Sequence, residues 1–160
     1  MPEPRAYLLT WTTYGTWLPG DERGSVDEMH NLPGEAAAPA SVARRSANRV
    51  AMTQGSMRLS VAAREVVRMA IVEHADFRGW DVRAVSVRPE HVHVVVRCGE
   101  EPPHGAMRKL KAWATRKLRL AGIVSRARHV WTERGSARWL WDAAAETAAV
   151  KYVLHAQGPE

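Results

Sequence analysis

The chain of 160 residues has a single cysteine, Cys98. One thiol excludes an internal disulfide framework and a cysteine-rich zinc site, and it fits a reducing compartment. No apolar run approaches the ~20 residues that a membrane-spanning helix needs. Met1-Pro2-Glu3-Pro4 lacks the basic and apolar regions of a secretory signal. The expectation is a cytoplasmic protein with no membrane partner. There is no internal repeat, and Gly20-Asp21-Glu22-Arg23-Gly24 has turn residues and charges without the spacing of a phosphate loop. What is present is ordinary for a globular chain: 46% apolar and 25% charged residues. One domain spanning 1–160 is expected.

Acidic residues are scarce in one segment. Between Pro102 and Arg138 ten Lys and Arg stand against one acid, Glu133, although the whole chain is only +6. The rest, with thirteen basic residues against sixteen acids, is net negative. A local excess of this size attracts polyanions by counterion release, and nucleic acid is the commonest such partner. Trp113, Trp131, Trp139 and Trp141 lie in or beside this stretch, and aromatic rings stack on unpaired bases. The alternative is a solvated basic face with the tryptophans in the core.

Arg5 to Trp17 is rich in aromatic and β-branched residues and reads as a strand. Leu18 to Met57 has no clear periodicity, so an irregular insert is expected at about 18–57, with room for a short helix over 41–52. Ser60 can cap a helix in which Ala63, Val66, Val67, Ala70, Ile71 and His74 share a stripe, and Gly79 ends it. Trp80–Arg88 and Val92–Arg97 form a hairpin around Pro89-Glu90. Pro102-Pro103 opens a second helix with Met107, Leu110, Ala114, Leu118 and Ala121 on one face and Gly122 at its end. Val130–Trp141 reads as a fourth strand broken at Gly135-Ser136, and Asp142 caps a final helix to about Ala156. This order predicts an α+β domain: a ferredoxin-like, RRM-like antiparallel sheet with helices on one face and a C-terminal helix that carries Tyr152.

His91-Val92-His93 is the most informative tripeptide. Residues two apart on a strand share a face, so both imidazoles can converge on one metal ion while Val92, Val94 and Val96 supply core. Tyr152 is followed by His155, on its helical face, and by Gln157, which needs the helix to end or bend. A tyrosine can act as a covalent nucleophile. The bland readings are a structural histidine pair and a tyrosine at a helix margin. Tyr14, beside Gly15, is expected to pack. His30, His104 and His129 are isolated, and Glu146, six positions before Tyr152, does not share its face.

Pro89-Glu90-His91-Val92-His93-Val94-Val95-Val96 resembles the histidine–hydrophobe–histidine strand of the HUH single-tyrosine transposases. These include the small insertion-sequence transposases and the REP-associated tyrosine transposases. Leu9-Thr10-Trp11-Thr12-Thr13-Tyr14-Gly15-Thr16-Trp17 and Tyr152-Val153-Leu154-His155-Ala156-Gln157-Gly158 also resemble that group, so the likeness covers most of the chain outside the insert. It implies an enzyme that nicks single-stranded DNA, often beside a hairpin, and transfers the strand through a 5′-phosphotyrosine link. Under it, Tyr152 is the nucleophile and His91 and His93 bind Mg²⁺ or Mn²⁺. A polar residue beyond the tyrosine completes the metal site. In much of the family that ligand lies four positions after the tyrosine, which here is Ala156, so Gln157 is the first choice and His155 the alternative. Arg108, Lys109, Lys111, Trp113 and Arg116 are the expected DNA-binding residues, and a homodimer that exchanges its tyrosines is possible. Two rivals stand beside this reading: a non-catalytic module binding single-stranded nucleic acid on the same fold, and a metal-dependent nuclease in which water attacks.

Overall fold

A computed structural model describes residues 3–16 and 54–156. The expected short helix over 41–52, most of the 18–57 insert and Gln157 lie outside them. Four strands form one antiparallel sheet: β1 (Ala6–Thr13), β2 (Asp81–Val87), β3 (His91–Arg97) and β4 (Trp131–Leu140), in the order β2-β3-β1-β4. Helix α1 (Val61–Arg78) lies between β1 and β2, and α2 (Pro103–Leu120) between β3 and β4. Helix α3 (Ala143–Lys151) runs into a π-helical turn, Tyr152–Ala156. The α+β fold expected from the sequence is the one observed.

Local chemistry explains the element ends. Ser60 Oγ accepts the Ala63 amide at 3.1 Å and Asp142 Oδ1 accepts that of Ala145 at 2.8 Å, each satisfying a free donor of a first turn. Gly79 closes α1 at φ 73°, the left-handed conformation that glycine adopts without strain. β1 stops at Thr13, short of Trp17, because Tyr14–Thr16 form a turn in which Thr16 Oγ1 reaches Thr13 Oγ1 (2.6 Å) and the Met57 carbonyl (3.1 Å). Tyr14 therefore leaves the strand and stacks on His129, with centroids 5.3 Å apart. β4 is not broken at Gly135-Ser136; both residues pair with β1, and the irregularity falls instead between Trp11 and Thr13.

Strand alternation divides the core into two layers. Leu9, Trp11, Val92, Val94 and Val96 face α1 and α2 and pack against Val67, Ile71, Leu110 and Leu118, all essentially buried. The alternate residues Ala6, Leu8 and Val95 face the other way and meet Ala149 and Val153. Two helices thus share one face of the sheet, and the terminal helix lies across the opposite face. Cys98 is buried, and burial pushes its thiol up to about 11, which leaves little thiolate at neutral pH. Among the described residues no helix is long and apolar enough to cross a membrane.

Candidate functional site

His91 and His93 project from β3 on the face that α3 covers, with ring centroids 4.9 Å apart and planes at 74°. The same alternation buries Val92, Val94 and Val96 on the other side, as the sequence pattern required. His93 is 7% exposed, against a partly exposed His91. Burial first, then the charges of His91 and Arg88, pushes the His93 imidazole down to about 4. It is therefore neutral at physiological pH and keeps a lone pair for an electrophile. Thr10 Oγ1, opposite it on β1, lies 2.8 Å from His93 Nδ1.

The chain end brings Tyr152 to this pair. Its ring centroid lies 5.7 Å from that of His93 with the planes at 80°, and at 44% exposed the phenol is reachable from solvent. Two anchors hold the tyrosine there. Val153, 2% exposed, enters the second core layer beside Ala149. Seven residues earlier, Glu146 is 5% exposed and receives Arg97 Nε at 2.9 Å and Nη2 at 2.5 Å. Arg5 and Arg83 lie 3.5 and 3.7 Å from the same carboxylate. Arg83 is the extra residue where β2 slips against β3 between Val82 and Ala84. The hydrogen bond from Arg97 holds the Glu146 carboxyl below the usual carboxylate range, with burial opposing. Sequence reading set Glu146 aside because it shares no face with Tyr152. The available signal was that it is the only acid in Ala143–Lys151, an otherwise alanine-rich helix.

The imidazoles of His91 and His93, beside a reachable phenol, are a donor pair that could hold a divalent ion. The described residues hold no cluster of three His, Cys, Asp or Glu side chains able to bind a metal, so His155, exposed at the chain end, does not complete such a set with His91 and His93. The preferred third ligand, Gln157, is outside the described residues.

The expected DNA-binding residues divide between two faces of α2. Lys109 pairs with Glu101. Trp113 turns toward α1, where its ring lies 5.5 Å from that of His74 and beneath Arg116 and Lys117. Arg108 and Lys111 point the other way, into a groove of about 520 Å³ between α2 and β4 that also takes His104, Arg119, Arg128 and Arg134. Lys111 Nζ donates to the Thr132 carbonyl at 2.6 Å, and burial pushes its ammonium down to about 8. No local pattern indicates that His104, His129 and the cations around β4 meet α2, because the register of β4 is a long-range property. At the end of β4, Trp139 and Trp141 are exposed, with centroids 5.7 Å apart.

No protein-family model and no curated protein matches this sequence. Among solved structures, the chain is similar to a REP-associated tyrosine transposase bound to a REP hairpin, with a TM-score of 0.54 and 12% identity. The match covers 94% of this chain and 65% of that one, so the chain spans slightly less than two thirds of its neighbour. At that identity the likeness is one of fold.

Proposed function

We propose that this protein nicks single-stranded DNA and transfers the cut strand through a tyrosine. The observation that carries the reading is Tyr152 set 5.7 Å from His93, with His91 beside it, on the one sheet face not taken up by α1 and α2. Tyr152 Oη attacks the scissile phosphorus, and the bond to the departing 3′-oxygen breaks. A 5′-phosphotyrosine and a free 3′-hydroxyl result, and attack by a second 3′-hydroxyl on the link reseals a strand and restores the phenol. His91 and His93 would hold Mg²⁺ or Mn²⁺, which when bound polarises the phosphate and stabilises charge in the transition state. Gln157, five positions after Tyr152 in the sequence, is the proposed third ligand. Tyr152 reaches His93 within a single chain, which supports use of the tyrosine in cis.

The groove between α2 and β4 supports a nucleic-acid partner of either reading, since Arg108, Lys111, Arg119, Arg128 and Arg134 face a single acid, Glu133, there. Phosphate contacts of that kind position a strand without reading its sequence. The solved neighbour carries a hairpin, so a hairpin with a single-stranded flank is the substrate to try.

The test is a denaturing gel of labelled hairpin DNA with Mn²⁺, comparing wild type and Tyr152→Phe. A slow band that survives denaturation in wild type alone is the expected result. Cleavage by both proteins would assign the attack to water. Binding without cleavage by either, across a panel of hairpins, would leave the groove as the working surface of a non-catalytic module.

A further inference from the structure

The hydrogen bond between Thr10 and His93 leaves a choice that decides what the imidazole can do. A neutral imidazole carries one N–H and one lone pair. If the Thr10 hydroxyl donated to Nδ1, the proton would sit on Nε2, and that nitrogen could bind no metal. If Nδ1–H donates to Thr10 Oγ1, Nε2 is left with its lone pair on the far side of the ring.

We infer that Thr10 is a positioning residue: its oxygen accepts the Nδ1 proton of His93, at 2.8 Å, and so fixes the tautomer in which Nε2 is the free donor. The sheet supplies the geometry. Thr10 is the direct cross-strand partner of His93 on one side and of Ser136 on the other, so a single face carries Ser136, Thr10 and His93 across β4, β1 and β3. Cross-strand neighbours on one face come close enough for side-chain hydrogen bonds, as Thr10 and His93 do. His93 is 7% exposed, and an N–H buried to that degree needs an acceptor. Ligating histidines elsewhere are oriented by the acceptor at their second nitrogen, and loss of such a partner typically costs about 10–100-fold in metal affinity. This role rests on the reading of His91 and His93 as metal ligands.

Two measurements on wild type, Thr10→Val and Thr10→Ser test it. Nitrogen-15 NMR of histidine-labelled, metal-free protein reports which nitrogen of His93 carries the proton. Calorimetric titration with Mn²⁺ reports affinity. The expected result is an Nδ1–H tautomer in wild type and Thr10→Ser, and its loss in Thr10→Val with an about 10–100-fold weaker Mn²⁺ affinity. An Nε2–H tautomer in wild type, or an Nδ1–H tautomer and unchanged affinity in Thr10→Val, overturns the inference. If no variant binds Mn²⁺ yet the tautomer follows the hydroxyl, Thr10 keeps its positioning role and the metal reading of the site fails instead.

Discussion

Gly135 sits in the middle of β4 with no turn to make, and its neighbours explain it. A Cβ built there would come within 2.5 Å of both Met107 Sδ and the Thr10 carbonyl oxygen. The methionine can move, but the carbonyl belongs to the β1 backbone. The glycine is therefore a close-approach residue between α2 and the centre of the sheet, and its punctuating role in the sequence pattern was misleading for that reason. Gly135→Ala should lower stability by about 1–3 kcal/mol, the usual range for overpacking. An unchanged melting temperature would show that the strand relaxes freely. The hydroxyls of Thr10, Thr12, Thr13 and Thr16 are similarly particular: each bonds a different part of the chain, at His93, Thr132, Glu90 or Met57. The sequence displays the threonines, but partners at separations of 41 to 120 residues depend on register.

At the scale of elements, what was legible is what is local. Helix α1 announced itself by its apolar stripe, its Ser60 cap and its Gly79 stop, and the histidine strand by alternation. Helix α3 was legible as a helix but not as a second layer, because alanine on every side gives it no clear apolar stripe. Its docking depends on Glu146 and the arginines of β2, β3 and the segment before β1. Replacing the carboxylate by an amide, Glu146→Gln, removes the counter-charge that Arg5, Arg83 and Arg97 share, although Arg83 keeps Asp81 at 3.3 Å. The cost should be about 1–3 kcal/mol, less than for a fully buried pair since all three arginines reach solvent. Hydrogen exchange of the amides from 143 to 153 measures it, and protection equal to wild type would refute the clamp. The pH dependence has a definite sign. The folded state holds Glu146 below its unfolded value, so the stabilisation is complete above the ordinary glutamate range. It is lost as pH falls through the lower folded value. Glu146→Gln should lack that acid-induced loosening.

Across the whole molecule, the sheet separates two regions. The imidazoles and Tyr152 occupy one face, the α2–β4 groove opens on the helical side, and the edge strand β4 lies between them. β4 is two strand spacings from the histidine strand, about 10 Å. A nucleic acid in the groove should restore the proton that burial makes labile on Lys111. Affinity for a hairpin should then fall as pH rises from 7 to 9, and Lys111→Arg should remove that dependence, because the guanidinium stays charged. Arg119→Ala should lower the salt slope of binding by about 1 without selecting among sequences. Fluorescence anisotropy over a range of salt and pH reads both, and slopes indifferent to these substitutions would move the binding surface elsewhere.

The π turn at Tyr152–Ala156 bears on how related chains are compared. Such a turn is a helix carrying one residue more than its α pitch requires. An insertion between a tyrosine and a polar partner is absorbed by that widening, and the interval grows by one while the angular relation is kept. Counting four residues from Tyr152 lands on Ala156, the last residue of that turn, so the interval runs along a backbone already wider than an α-helix. Spacing after the tyrosine is better compared in turns than in residues.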